Sequence, residues 1–97
     1  MEQSSYVYML ASARNGTLYL GVTSDLIKRV WQHREGFADG FTKKYSVKQL
    51  MWYEIHEDIR EAIHREKILK KCSRSAKIEL IQKENPYWRD LYEDIVA

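Results

Sequence analysis

Proline, cysteine and glycine are scarce in this 97-residue chain, which has one proline, one cysteine and four glycines. A single cysteine, Cys72, cannot form an internal disulfide or a thiolate zinc cluster. The sequence also lacks internal repeats, low-complexity tracts and linkers rich in proline, glycine or serine. Because the length suits only one hydrophobic core, we expect residues 1–97 to form a single domain.

Long apolar segments are missing as well. No run reaches the roughly 18 apolar residues that a membrane-spanning helix needs. The first residues, MEQSSY, lack the basic stretch followed by an apolar one that is typical of a signal peptide. We therefore expect a cytoplasmic protein that does not engage a membrane. Hydrophobic residues make up 44% and charged residues 31%, a balance typical of a folded globular chain rather than a disordered one.

The hydrophobic pattern predicts three strands and four helices in the order β-β-α-β-α-α-α. The predicted strands cover residues 5–11, 17–22 and 47–55, and the predicted helices cover residues 25–34, residues 58–71, a segment from Ser73 or Ser75, and a short last helix. Strands and helices interspersed at this size indicate an α/β or α+β layered domain, with a small, mostly antiparallel three-stranded sheet flanked by helices.

Local signals place the ends of these elements. Thr23 or Ser24 is the predicted N-cap of the first helix, and Gly36 ends it. The stretch GFADGFTKK that follows reads as a polar loop. The nearly continuous apolar run of residues 50–53 predicts an interior strand, flanked on both edges or faces. Asn85 and Pro86 are the predicted N-cap and first residue of the last helix.

The first two strands form a predicted hairpin whose register the sequence leaves open. A two-residue turn at residues 15–16 pairs residues whose numbers sum to 31, and a four-residue loop at residues 12–15 pairs those that sum to 27. Both sums are odd, so either register places Tyr6, Tyr8 and Tyr19 on one face. The longer loop sets Tyr8 directly opposite Tyr19, and we favour it if the pair is functional.

Two helical segments carry polar residues in positions of interest. Asp25, Arg29 and His33 follow one another at four-residue spacing and therefore share a stripe of the first helix. Helical phase places Glu66 in the middle of the apolar stripe of the second helix. A carboxylate there needs a buried Arg or Lys partner, a metal ion or a substrate, because burying it unpaired is costly.

A basic run, KILKKCSRSAK, spans residues 67–77 and contains no acidic residue. Such a run is either a solvated helical face or a surface that binds phosphates. A helix boundary at Ser73 would divide it between two elements and leave two or three of its cations on the side of the candidate site.

These residues, in this order, resemble the GIY-YIG nuclease superfamily in its small stand-alone bacterial form. The first signature is similar to Tyr6-Val7-Tyr8, with Tyr6 where glycine is usual, and the second is similar to Tyr19-Leu20-Gly21. The remaining landmarks of the family match the residues Arg29, His33, Glu66 and Asn85.

The resemblance implies hydrolysis of DNA phosphodiester bonds with one divalent cation, Mg²⁺ or Mn²⁺, held by Glu66. Arg29 is the implied stabiliser of transition-state charge. Tyr8 or Tyr19 is the implied general base, and since a free phenol has a pKa of about 10, nearby cationic charge must favour its phenolate. His33 and the other tyrosine would hold the phosphate, the water or each other.

Two functions remain open on the sequence. The first is an endonuclease on DNA that recognises structure rather than sequence, with a homodimer or protein partner supplying further specificity. The second is a nucleic-acid-binding module that retains the fold without turnover. In both, the predicted DNA-binding residues are Lys43, Lys44, Lys70, Lys71, Arg74 and Asn85.

Overall fold

A computed structural model describes residues 4–38 and 40–97. Within these residues the chain forms three strands and five helices. The strands are β1 (Ser5–Ala11), β2 (Leu18–Thr23) and β3 (Gln49–His56). The helices are α1 (Leu26–Arg34), α2 (Gly40–Lys44), α3 (Ile59–Lys70), α4 (Arg74–Glu84) and α5 (Tyr92–Val96). The predicted α+β layered class is confirmed, with α2 as an additional element.

The hairpin of β1 and β2 adopts neither predicted register. Paired residues have numbers that sum to 29, so Tyr8 lies opposite Gly21 and Tyr19 lies opposite Leu10. The reason is local, because the Ser12 amide donates to the Thr17 carbonyl at 3.0 Å. The Ser12 hydroxyl in turn accepts from the Thr17 amide at 2.9 Å. The sum is still odd, and the predicted division of the hairpin into a tyrosine face and an aliphatic face holds.

The strand order of the sheet is β2-β1-β3, and both pairings are antiparallel. The apolar run in β3 is therefore part of an edge strand, not an interior one. Leu50, Met51 and Trp52 are nevertheless buried, because both faces of β3 are covered. The edge itself is also occupied, since the Leu50 amide donates to the Asp90 carboxylate at 3.1 Å and the Leu50 carbonyl accepts from the Leu91 amide at 2.8 Å. The segment after α4 thus protects the strand.

The helix boundaries follow from capping chemistry, and several differ from expectation. Asp25, rather than Thr23 or Ser24, caps α1, and its carboxylate accepts from the Lys28 amide. Gly36 follows this helix with a φ of +80°, which glycine adopts without strain. The predicted polar loop contains the short helix α2. Ser73 caps α4, so the basic run is divided as its boundary signal indicated.

The last helix begins later than the sequence predicts. Asn85 is the C-cap of α4, and α5 begins only at Tyr92. The Asn85 side chain is used by the backbone around it, donating to the Met51 and Arg89 carbonyls and accepting from the Arg89 amide. Because these bonds shape the turn after α4, the chain reaches the edge of β3 before a new helix can start.

Helices cover both faces of the sheet. On the aliphatic face, α3 and α4 pack on Val7, Met9 and Ala11. On the other face, α1 packs on Tyr8 and Leu10. Among the described residues, no helix has the length and apolar character needed to cross a membrane.

Candidate active site

A cleft of about 490 Å³ lies across the outer edge of β2. Residues 18–22 form its floor, and they come from both faces of the strand. Helix α1 contributes Arg29 from the tyrosine face, and α3 contributes Glu66 from the aliphatic face. Residues on opposite layers of the domain meet here because the sheet ends at β2. Four of the five predicted catalytic residues line this cleft: Tyr8, Tyr19, Arg29 and Glu66.

The fifth, His33, lies behind Tyr8 in a buried row of polar groups. The Tyr8 hydroxyl is 3.0 Å from His33 Nε2, and His33 Nδ1 is 2.9 Å from the Thr42 hydroxyl. Tyr8, His33 and Thr42 are each no more than 1% exposed. Buried polar side chains are retained only when they are hydrogen-bonded, and this row satisfies that condition on both nitrogens of the imidazole.

The Tyr8 ring is set by the residue opposite it in the hairpin. A β-carbon at Gly21 would lie 2.6 Å from the Tyr8 hydroxyl oxygen and 2.7 Å from the ring carbon that carries it. Glycine at position 21 therefore allows the Tyr8 ring to pack directly against the backbone of β2. Tyr19 stands beside it, with its ring centroid 5.1 Å from that of His33 and 6.3 Å from that of Tyr8. The two tyrosines are diagonal neighbours rather than a directly opposed pair.

Arg29 stands at the wall of the cleft and is oriented by Gln32, whose side-chain oxygen accepts from the guanidinium at 3.2 Å. Burial lowers the pKa of Arg29, but hydrogen bonding and charge interaction with Tyr8, and then with Tyr19, outweigh it and raise the pKa above its usual value. The guanidinium is thus a permanent cation directed at both phenol groups.

Glu66 faces the cleft with 18% of its side chain exposed, and its only ion pair among the described residues is Lys70, at 3.5 Å. It is neither sealed in the core nor remote from the tyrosines. Within residues 4–38 and 40–97, no three His, Cys, Asp or Glu side chains are grouped to hold a metal. A single accessible carboxylate fits Mg²⁺, which usually keeps several waters and takes one or two carboxylates together with phosphate oxygens.

A family model described as the GIY-YIG catalytic domain matches residues 4–85. The chain belongs to the GIY-YIG family. It is also similar to a UPF0213 protein of Clostridium perfringens, at 34% identity over 90% of this chain and 97% of the relative. A UPF0213 protein of Bacillus cereus is 31% identical over 90% of this chain and 91% of its own.

A solved structure supports the assignment at the level of the fold. The solution NMR structure of a UPF0213 protein from Bacillus halodurans matches with a TM-score of 0.55 and 25% identity. The match covers 90% of this chain and 92% of that one. The GIY-YIG assignment therefore rests on both sequence and architecture.

The cationic residues predicted for this GIY-YIG domain do not all reach the cleft. Lys70 lines it, together with Lys77 from the same basic run. Lys71 is the exposed C-cap of α3 and is not among the lining residues. Arg74 donates to the Asn15 and Gly16 carbonyls, at 2.7 and 2.6 Å, and so binds the hairpin loop. These contacts give Arg74 a structural role at the hairpin loop, and its contact with DNA stays a prediction.

Three further predicted residues lie outside the cleft. Lys43 and Lys44 are exposed on α2, and Lys44 Nζ lies 5.4 Å from the centroid of the Tyr45 ring. Asn85 is 4% exposed and bonded to backbone groups, a geometry that does not favour the predicted DNA contact. Its side-chain amide holds the segment after α4 against β3.

Sequence reasoning missed three residues at the site. Thr42 and Phe41 belong to α2, which the sequence presents as a loop, and no periodic pattern marks Thr42 as buried or Phe41 as lining the cleft. Gly21 was noted only as a member of a signature. Its opposition to Tyr8 depends on the hairpin register, and the odd-sum argument fixes faces but not partners.

Proposed function

We propose that this protein is a divalent-metal-dependent endonuclease that hydrolyses DNA phosphodiester bonds. The observation that carries the proposal is the 3.0 Å contact between the Tyr8 hydroxyl and His33 Nε2, made at a cleft whose walls hold a cation, Arg29, and a carboxylate, Glu66. A phenol, an imidazole, a guanidinium and a carboxylate in one place provide base, charge stabiliser and metal ligand together.

Tyr8 is the general base in this proposal, because it contacts an imidazole nitrogen that can take its proton. As the water attacks phosphorus, the water proton passes to the Tyr8 oxygen while the Tyr8 proton passes to His33 Nε2. The new P–O bond forms, the bond to the departing nucleotide oxygen breaks, and that oxygen takes a proton from solvent. His33 ends the step as an imidazolium and later releases its proton.

Charge on the phosphate is balanced by the two walls of the cleft. Arg29 presents a planar guanidinium whose five N–H groups can bind two phosphate oxygens at once. Glu66 would hold the divalent ion, and the ion when bound supplies positive charge to the phosphate oxygens and acidifies its own waters. Lys70 and Lys77 on the rim add charge that attracts the DNA backbone.

We further propose that the substrate is recognised by structure rather than sequence, as a branched, nicked or single-stranded DNA. A row of aromatic rings supports this, because Tyr19 is 6.3 Å from Phe41, and Phe41 is 4.9 Å from Tyr45, between centroids. Phe41 is 43% and Tyr45 47% exposed. Exposed rings stack on unpaired bases without selecting a base. We also propose that a protein partner or a second copy of the chain supplies any further specificity.

The proposal is tested with a nuclease assay on branched, nicked, duplex and single-stranded DNAs, each with and without Mg²⁺ or Mn²⁺. We expect metal-dependent cleavage by the wild-type protein and none by Glu66→Ala, while DNA binding partly survives. Glu61→Ala is the matched control, since Glu61 is an exposed carboxylate on the same helix that faces a different surface. Undiminished cleavage by Glu66→Ala would refute the metal-binding role. Tight binding without cleavage under all conditions would favour the non-catalytic nucleic-acid-binding module.

A further inference from the structure

Thr42 is a buried polar residue whose backbone and side chain are both fixed. Its carbonyl accepts from the Val47 amide at 2.9 Å, and Val47 is fully buried. Its hydroxyl lies 2.9 Å from His33 Nδ1. A rigid partner on one imidazole nitrogen determines which nitrogen carries the proton, and therefore what the other nitrogen can do.

The direction of the hydrogen bonds follows from the proposed proton transfer. Tyr8 can pass its proton to His33 only by donating its O–H to Nε2, which lies 3.0 Å from the hydroxyl oxygen. That nitrogen must then be unprotonated before the step. A neutral imidazole with bare Nε2 carries its proton on Nδ1, where the Thr42 hydroxyl oxygen accepts it.

We propose that Thr42 is a positioning residue that holds His33 in the tautomer protonated on Nδ1, leaving Nε2 ready to receive the Tyr8 proton. The inference rests on the proposed function, and the tautomer itself is measurable in the protein without DNA. When Nε2 gains its proton, Nδ1–H keeps its bond to Thr42, so no group has to rotate during the step. Tyr8, His33 and Thr42 would thus act as a hydrogen-bonded triad, in which Thr42 orients the imidazole.

The tautomer is measured directly by two-dimensional ¹H–¹⁵N NMR of protein labelled with ¹⁵N-histidine. His33 is assigned by comparison with His56→Gln and His64→Gln variants, which remove the other two histidines one at a time. At a pH where the imidazole is neutral, we expect a protonated Nδ1 and an unprotonated Nε2. A wild-type protein with the proton on Nε2 would overturn the proposal, whether or not it cleaves DNA.

Two variants then test the part played by Thr42. Thr42→Val removes the acceptor while keeping the shape, and we expect it to populate the Nε2-protonated tautomer and to lower kcat by about 10- to 100-fold with KM little changed. Thr42→Ser keeps the hydroxyl, and we expect it to retain the wild-type tautomer and most of the rate. A Thr42→Val protein with wild-type tautomer and kcat would overturn the assignment. If that variant does not fold, the wild-type and Thr42→Ser spectra decide. Lack of cleavage by wild-type protein with the expected tautomer would refute the proposed function alone.

Discussion

Along the central strand β1, both faces of the sheet are buried, but they are built from different chemistry. Against α3 and α4, the centre of the sheet presents Val7, Met9 and Ala11, all fully buried and apolar. Against α1, the same strand presents Tyr8, whose hydroxyl is hydrogen-bonded to His33. His33 is in turn hydrogen-bonded to Thr42. Along β1, one face therefore presents only apolar side chains, which gain from leaving water, and the other also presents a polar group that must be hydrogen-bonded to remain there.

This difference separates stability from chemistry across a single strand. Apolar packing on the α3 and α4 face contributes free energy in proportion to the area removed from water. The polar row on the α1 face contributes little net stability, since its hydrogen bonds replace bonds to water. Substitutions in the apolar cluster against α3 and α4 should therefore act on unfolding, and those in the polar row and in the cleft should act on turnover.

The largest expected effect is on stability, from Ile81→Ala on the apolar face. Ile81 is fully buried in the cluster that contains Val7 and Met9. Deleting this side chain should lower the free energy of unfolding by about 2 to 5 kcal/mol, measured by urea denaturation, because a cavity is left behind. Ile63→Ala is the matched control, since Ile63 is 40% exposed on α3. Equal losses in both variants would contradict the separation of the two faces.

The next effect is on turnover, from Arg29→Ala in the cleft. Removing a charge stabiliser of this kind should lower the cleavage rate by about 100- to 1,000-fold, while the free energy of unfolding changes by about 0.5 kcal/mol or less. Single-turnover kinetics with saturating protein measures the first quantity, and denaturation the second. Lys28→Ala, an exposed cation one position earlier on α1, should leave both unchanged. If the Arg29→Ala protein is both slow and strongly destabilised, the separation of turnover from stability is contradicted.

A smaller effect is expected from Asn85→Ala at the edge of β3. Its amide satisfies the Met51 and Arg89 carbonyls, and losing it should reduce the free energy of unfolding by about 1 to 3 kcal/mol. DNA affinity and cleavage should remain those of the wild type below the unfolding transition. Gln82→Ala, at an exposed position on α4, provides the control. Weakened DNA binding with unchanged stability would instead support the predicted DNA contact of Asn85.

The smallest expected effect concerns how DNA affinity depends on salt. Lys70 and Lys77 line the cleft, so the double variant Lys70→Ala, Lys77→Ala should flatten the logarithmic salt slope by about one to two units, at roughly 0.9 per duplex phosphate. Fluorescence anisotropy at several salt concentrations measures it. Lys67→Ala, Lys71→Ala removes the same charge from the same basic run outside the cleft lining, and its slope should change less. Equal changes would show that the whole run, not the cleft, attracts DNA.

The features that the sequence predicts are those that depend only on neighbouring residues in the chain. The pleat of a strand alone divides Tyr8 and Tyr19 from Val7 and Met9, so the faces were predicted without the register. The register itself depended on the Ser12 hydroxyl bonding the Thr17 amide, a contact that no periodicity reveals. Three strands and the boundary at Ser73 were predicted for the same reason as the faces, because alternation and capping are local signals.

Other features that the sequence does not predict depend on contacts between residues far apart in the chain. Asn85 precedes proline and looks like an N-cap, yet its amide is taken by the Met51 carbonyl of a strand far away in the sequence. Helix α2 has two residues, Phe41 and Thr42, whose burial or cleft position is defined only once α1 and β1 are in place. Glu66 could be marked as unusual from helical phase, but the partner that it faces could not.

The position of the cleft at the edge of β2 has a consequence for when the protein can act. Arg29 arrives with the helical layer on one face and Glu66 with the layer on the other, so neither layer alone brings both charges to the phosphate. A nascent or partly denatured chain, with helices docked on one side only, would hold half of the machinery. The proposed nuclease would therefore be inactive until both helical layers are docked on the sheet.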